Sequence, residues 1–259
     1  MFTEDHAALT GARDVLITET LRPEQSYNVN LNFLQKVFTP TGNLFSFDIT
    51  AFYTYFTNQI LPDYDSDPNL IIYDNLDGYS VAAGISANVD IALANGLKVL
   101  AGATLMNNFF VEDGVRNIPV LNERINGTWA VSYTLPKTRI SLDYTGNLYG
   151  PMRLPLLGDL DPRDEFSPWW SLQNFQLTYT SKDGKWDIYG GGKNLLNFPP
   201  PANSIARSFD PFDRDVAFEA DGQVLPTASN PFALTFDPSY VYAPNQGIRG
   251  FLGVRYRIR

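Results

Sequence analysis

The chain has 259 residues, no cysteine and a formal charge of −9. Disulfides and thiolate metal sites are therefore excluded, and a nucleic-acid partner is not expected, because a phosphate-binding surface must be basic. The hydrophobic content of 44% never gathers into an apolar run of the ~18 residues that a membrane helix needs; it is spread by alternation instead.

Met1-Phe2-Thr3-Glu4-Asp5 opens the chain without a basic or an apolar region of signal-peptide type. Either the chain is not exported, or it is the C-terminal part of something longer. Residues 14–18 read as a short strand. Leu21-Arg22-Pro23-Glu24-Gln25 breaks it, since proline lacks a donor and restricts its neighbour. A first long strand follows at 26–38 and ends in a short turn at 39–43. The strand 44–60 runs back, with Phe45, Phe47, Ile49, Ala51, Tyr53 and Tyr55 on one face and Ser46, Asp48, Thr50 and Thr54 on the other. Residues 61–77 read as a polar loop.

The hairpin 78–105 shows the pattern most plainly. Tyr79, Val81, Ala83, Ile85, Ala87, Val89, Ile91 and Leu93 alternate with Ser80, Ala82, Gly84, Ser86, Asn88, Asp90 and Ala92. This period-two alternation is of use to a strand and not to a helix. At roughly 15 residues the first arm spans about 50 Å, far beyond the ~5–6 residues of an ordinary strand. Asn95-Gly96 supplies the tight turn. Leu97, Val99, Ala101, Ala103 and Leu105 return on the apolar face. A long loop at 107–124 precedes a second hairpin, 125–135 and 139–149. Another long loop, 150–168, precedes a third, 169–181 and 185–196, around Lys182-Asp183-Gly184. The last loop, 197–247, is rich in Pro and Asp, and a final strand occupies 248–258.

About nine strands result, and their connections alternate between short and long. A soluble sandwich has no reason for that asymmetry, whereas a transmembrane barrel places short turns on the periplasmic side and long loops outside. Aromatics on the apolar faces fall at strand ends. Phe45, Tyr133, Tyr179, Trp186 and Tyr256 lie near the short turns, and Tyr53, Tyr55, Tyr79, Trp129 and Tyr144 lie towards the long loops. Two aromatic belts around an aliphatic band suit a wall that faces lipid. The expected fold is thus all-β: an antiparallel transmembrane β-barrel segment with outer-membrane lipid against its apolar face. A half-buried antiparallel sheet of a soluble protein is the competing reading, because it also alternates.

Candidate sites lie in the long loops. Arg153, Asp159, Asp161, Arg163 and Asp164, followed by Trp169 and Trp170, bring both charge signs and large aromatics together, a combination suited to ligand capture. The stretch 208–215, with Asp210, Asp213 and Arg214, has the same character. Asp63, Asp65, Asp67 and Asp74 echo the spacing of a calcium loop, though Pro68 stands where that loop has glycine, and Asp74 where it has glutamate. Calcium is the one cofactor this spacing suggests. Gly190-Gly191-Gly192-Lys193 resembles a phosphate loop only superficially, since Asp187 holds the first glycine position and Asn194 follows the lysine. Those glycines are expected to permit close approach of backbones within a sheet. The only histidine is His6, and no H-E-x-x-H or G-x-S-x-G motif occurs, so no catalysis is expected.

Several of these segments resemble TonB-dependent outer-membrane receptors. Gly190-Gly191-Gly192-Lys193-Asn194-Leu195-Leu196-Asn197 is similar to the end of their penultimate strand. Leu21-Arg22-Pro23-Glu24 resembles their L-x-P-E loop, and Phe52-Tyr53-Thr54-Tyr55-Phe56-Thr57-Asn58-Gln59-Ile60 the strand that follows it. The segment 143–155 and Ser208-Phe209-Asp210-Pro211-Phe212-Asp213 look most like receptors of Bacteroidetes-type bacteria. The resemblance implies a 22-strand barrel enclosing a plug domain, of which this chain would be the C-terminal barrel portion, without the plug. It implies active uptake of a scarce ligand (an iron-siderophore, cobalamin or a glycan), driven by the TonB-ExbB-ExbD complex acting on the plug. The final Tyr256-Arg257-Ile258-Arg259 departs from the aromatic residue on which such barrels commonly end. A passive pore or adhesion barrel is the alternative function, and a secreted carbohydrate-binding β-sandwich a third.

Overall fold

The computed structural model describes residues 14–17, 21–64, 66, 70–154, 164–199, 220, 225–226, 243 and 246–258. Every regular element among them is a strand: β1 (Asp14–Ile17), β2 (Gln25–Phe38), β3 (Leu44–Asn58), β4 (Ile60–Asp63), β5 (Leu70–Asn75), β6 (Gly78–Ala92), β7 (Leu97–Glu112), β8 (Val115–Asn117), β9 (Ile125–Thr134), β10 (Ile140–Tyr149), β11 (Trp170–Thr180), β12 (Trp186–Lys193) and β13 (Arg249–Tyr256).

Nine of these form one sheet in the order β2-β3-β6-β7-β9-β10-β11-β12-β13, each antiparallel to the next, and β8 folds back onto β7. They are the nine strands expected from alternation. Cross-strand partners share a face, so the registers can be followed straight across the sheet. Val37, Phe45, Ile91, Val99, Val131, Tyr144 and Phe175 stand in one row on the apolar face. Asn32, Thr50, Ser86 and Thr104 stand in a row on the other. There Asn32 Nδ2 donates to Asp48 Oδ1 (2.6 Å) and Thr50 Oγ1 (2.7 Å), and Ser132 Oγ donates to Asp143 Oδ1 (2.6 Å).

The apolar face decides between the two readings of the alternation. A soluble sandwich would bury it under a second sheet. Instead Leu31 is 73% exposed and Leu252 82%, with Phe33, Phe47, Ile49, Ile85, Leu105, Ile188 and Val254 also exposed. Among the described residues the buried apolar ones (Ile71, Leu76, Val81, Met152, Leu154, Trp170 and Ala243) do not form a second layer over it. Aromatic pairs occupy the expected belts: Trp186 against Tyr256 (4.5 Å) near the short turns, Tyr55 stacked on Tyr79 (5.4 Å) near the long loops, and Trp129 against Tyr144 (6.4 Å). The sheet is open, and among the described residues nothing pairs with the outer edges of β2 and β13.

The structure differs from the sequence reading in three places. The polar segment 61–77 carries β5 and most of β4, which join β1 in a separate three-stranded sheet, β1-β5-β4. The apolar run Leu70-Ile71-Ile72-Tyr73 drives this, since Ile71 is fully buried. Strand β7 continues to Glu112, past two consecutive asparagines that interrupt its alternation. Strand β12 stops at Lys193 because Asn194 takes a left-handed conformation, φ +52°.

At the short-turn end, Gly96 has φ +92° and its amide donates to Leu93 O (3.0 Å), a conformation that a side chain would oppose. Arg257 fastens the end of β13: Nη2 meets Asp187 Oδ2 at 2.6 Å and Nη1 donates to Gly184 O at 3.0 Å. In the turn between β11 and β12, the Ser181 hydroxyl (2.6 Å) and the Lys185 amide (3.1 Å) donate to Asp183 Oδ1. The hydroxyl first, then the amide, holds this exposed carboxyl below its ordinary range. A lowered carboxyl stabilises the folded turn at neutral pH and loses that contribution only as pH falls through the lowered value. Amide-exchange protection at Lys185 is therefore expected to persist at about pH 3.9, where a free aspartate is half protonated, and to fall there in Ser181→Ala.

Candidate functional site

Three long connections meet at the end of the sheet opposite the short turns. The first is the β4–β5 hairpin, in which Leu61 pairs with Asp74 and Asp63 with Ile72. The Leu76 amide closes its base on Gln59 O (2.8 Å). The Leu21-Arg22-Pro23-Glu24 segment clamps the hairpin from outside. Asn75 Oδ1 accepts from the Arg22 amide (2.7 Å), Asn75 Nδ2 donates to Arg22 O (2.9 Å), and Glu24 Oε1 accepts from the Ile60 amide (3.0 Å).

The second connection is the β7–β8 hairpin, turned by Asp113 (φ +50°) and Gly114 (φ +75°). Arg116 lies over the Phe109 ring at 3.9 Å. The third is the segment after β10. The Leu121 amide donates to Arg153 O (2.7 Å), Arg153 Nη1 donates to Ile118 O (3.3 Å), and Arg153 Nε lies 3.9 Å from Glu165 Oε1. Arg153 thus joins the second connection to the third.

A cavity of about 510 Å³ lies between the three. Asp63, Asp74, Glu112 and Arg153 give it charge of both signs, and Phe110 and Tyr64 give it aromatic surface. Phe110 and Glu112 share the polar face of β7 with Asn108 and Thr104, so the cavity opens on the polar side of the sheet. Asp63 Oδ1 accepts from the Ser66 amide (3.0 Å) and Asp74 Oδ1 from the Asn75 amide (2.6 Å). Glu112 is the last residue of a 16-residue strand, beyond the ~9–11 residues that cross a bilayer. Burial, and then the Asp113 and Asp63 carboxylates, push its carboxyl above the ordinary range.

Beside the cavity is a packed aromatic cluster. Trp170 stacks on Tyr149 (4.1 Å, 19°) and on Phe198 (6.0 Å, 12°), with Met152 and Ala243 buried against it. Trp170 is 7% exposed and Trp169 50%. Ser167 Oγ accepts from the Met152 amide (3.0 Å), tying the strand-like ends of the third connection together.

Of the residues nominated from sequence, Asp63, Asp74 and Arg153 line one cavity, although they were nominated for two different purposes. Trp170 is packed in the adjacent cluster, and Trp169, just before β11, is half exposed. Asp65, Asp67, Asp159, Asp161, Arg163, Asp210, Asp213 and Arg214 lie outside the described residues. Among the described residues no group of three or more metal-ligating side chains is placed to hold an ion. Sequence reasoning missed Phe110, Glu112 and Tyr64. The signal for the first two was present: Phe110 and Glu112 continue the even-numbered face of Thr104 and Met106 through the asparagine pair.

A family model described as TonB dependent receptor-like, beta-barrel, matches residues 4–195. Among curated proteins nothing matches the sequence. Solved structures with a similar fold include the pyoverdine outer-membrane receptor FpvA of Pseudomonas aeruginosa bound to pyoverdine (14% identity, TM-score 0.60, 95% of this chain and 31% of that one). They also include the ferric-catecholate import receptor Fiu of Escherichia coli K12 (12%, 0.59, 92% and 28%). A third is the FrpB iron transporter of Neisseria meningitidis (10%, 0.54, 94% and 32%). At these identities the likeness is one of fold, and the chain spans about a quarter to a third of the length of the structures it matches.

Proposed function

The chain belongs to the TonB-dependent receptor-like β-barrel family, and on that premise we propose that it forms barrel wall and ligand-capturing mouth in a receptor for active uptake of a scarce ligand. Barrels of this family lie in the outer membrane of Gram-negative bacteria, work with TonB and bind small ligands; the family consists of receptors and transporters, not enzymes. The proposed ligand is an iron chelate, in keeping with neighbours named for pyoverdine, ferric catecholates and iron; cobalamin and glycans are the other ligand types the family reading allows. Energy would come from the TonB-ExbB-ExbD complex, through a plug supplied by the rest of the receptor.

One observation carries the assignment of the mouth: three long connections converge on a mixed-charge, aromatic cavity at one end of a sheet whose outer face is apolar. A partly enclosed cavity with a few convergent polar groups and apolar walls is the usual form of a small-ligand site. We propose that Arg153 and Glu112 contact the ligand there, and that Trp169, Asp161, Arg163, Asp210, Asp213 and Arg214 also take part in capture.

The test uses the complete receptor in the outer membrane of a host lacking its own chelate receptors, with ferric pyoverdine and a ferric catecholate as probes. Accumulation is expected to require TonB, and Arg153→Ala is expected to lower it at least tenfold at sub-saturating chelate while the protein remains heat-modifiable on gels. Accumulation of either chelate without TonB would establish a passive pore instead. Addition of a calcium chelator reads out the proposal that Asp63, Asp65, Asp67 and Asp74 hold calcium. Chelator-sensitive capture supports that site, and chelator-insensitive capture removes it.

A further inference from the structure

The Asn194-Leu195-Leu196-Asn197 element takes no part in the cavity, yet the side chains of both asparagines bond to main-chain groups of the last long segment. Asn194 is 4% exposed. Its left-handed backbone turns the chain sharply out of β12. Its amide N–H donates to Asn174 Oδ1 (3.2 Å), and the Leu195 amide donates to Gln173 O (2.8 Å), so the turn is fixed to β11. The Asn194 side chain then makes three bonds. Nδ2 donates to Phe198 O (2.7 Å) and to Gln246 O (3.0 Å), and Oδ1 accepts from the Phe198 amide (3.0 Å). Phe198 begins the outgoing limb of the last long segment and Gln246 ends its returning limb.

Asn197, with φ +52° as well, adds a second bond to the returning limb beside that from Asn194 to Gln246 O: its Oδ1 accepts from the Ile248 amide (2.9 Å). Both limbs reach the aromatic cluster. Phe198 stacks on Trp170, and Ala243 is buried beside it. Met152 belongs to the same cluster and immediately precedes Arg153 of the cavity.

We propose that Asn194 is a positioning residue for ligand capture, a clip that binds the outgoing and returning limbs of the last long segment to each other and seats them on the Trp170 cluster beside the cavity. Only a primary amide does this, because two donors and an acceptor are needed within one short side chain. Aspartate keeps the acceptor and tolerates the left-handed backbone, but has no donor for Phe198 O or Gln246 O. The role in capture rests on the proposed function; the clip itself does not.

This chain has no cysteine, so in a receptor whose remaining cysteines, if any, are replaced by serine, a single introduced thiol is a unique handle. In the complete receptor carrying Ala243→Cys, reaction of intact cells with a membrane-impermeant maleimide is expected to be slow, because position 243 is buried. Adding Asn194→Asp is expected to speed labelling at least tenfold with unchanged heat-modifiability, and Asn194→Ala further still. Without the added thiol, Asn194→Asp is expected to raise the half-saturating concentration of the transported chelate at least tenfold and leave the maximal rate unchanged. Unchanged labelling in folded Asn194→Asp would overturn the clip. Faster labelling with unmoved half-saturation would overturn its role in capture. Should native receptor take up neither ferric pyoverdine nor the ferric catecholate, the iron-chelate reading fails, while the labelling arm still decides the clip. If the Asn194 variants do not assemble, Asn197→Ala, which removes only the bond to Ile248, is expected to give a smaller acceleration, and none would count against the proposal.

Discussion

Gly191→Ala is expected to abolish assembly of the wall. A Cβ at this position would stand 2.0 Å from Phe175 O and 2.9 Å from both Gln176 Cα and Phe251 Cζ. Two of these are backbone atoms of β11 and cannot swing aside, so β12 must move off its neighbour. The pairing of β11 with β12 extends from Phe175–Gly192 to Thr180–Asp187. Overpacking alone costs about 1–3 kcal/mol, and each ladder hydrogen bond lost adds about 1 kcal/mol, so a loss of roughly 3 kcal/mol or more is expected. The measurement is the proportion of heat-modifiable, folded protein in outer membranes, with Gly127→Ala as the control. There the nearest atom to an added Cβ is 3.5 Å away. A normal folded band for Gly191→Ala would show that β11 and β12 are less tightly paired than described here. The result also bears on the superficial likeness to a phosphate loop, since these glycines are accounted for by packing between strands.

Trp170→Ala should loosen the mouth and spare the wall. Removing a buried tryptophan typically costs about 3–5 kcal/mol, and here it would unseat Tyr149, Phe198, Met152 and Ala243 together. Hydrogen exchange is expected to accelerate at Met152 and Phe198, with β3, β6 and β7 unchanged. The same variant separates two roles for this residue. Loss of chelate capture with altered exchange marks a packing residue. Loss of capture with unaltered exchange marks a direct ligand contact, and would shift the site from the cavity towards the cluster.

The wall was legible because one physical demand acts on every residue of it: neighbours along a strand face opposite media. Tyr79, Val81 and Ala83 against Ser80, Ala82 and Gly84 state that demand without reference to any other part of the chain. The mouth was less legible because its contacts are not periodic. Asp63 and Asp74 read as successive positions of one loop, yet they sit on two paired strands, and Ile71, between them in sequence, makes the buried anchor. Trp169 and Trp170 read as a pair, but β11 begins only at Trp170, which is seated in a stack, while Trp169 just before the strand is half exposed. Asn194 was recognised through resemblance alone. Its partners are main-chain groups 4 and 52 residues away, and no side-chain pattern announces a bond to a distant carbonyl.

The strand order of the wall has a kinetic consequence. Each strand pairs with the one before it in the sheet's path, and the path follows the chain, so most of the surface can zip up from local hairpins of low contact order. The longest closure is the pairing of β12 with β13, across a loop of about fifty residues. Loop-closure entropy grows as (3/2)RT ln n, so that step costs about 2 kcal/mol more than closing a four-residue turn. Among these nine strands β13 is therefore the natural latecomer. Until it docks, β12 presents an unpaired edge, the state in which the nascent wall is most open to pairing with the wrong strand.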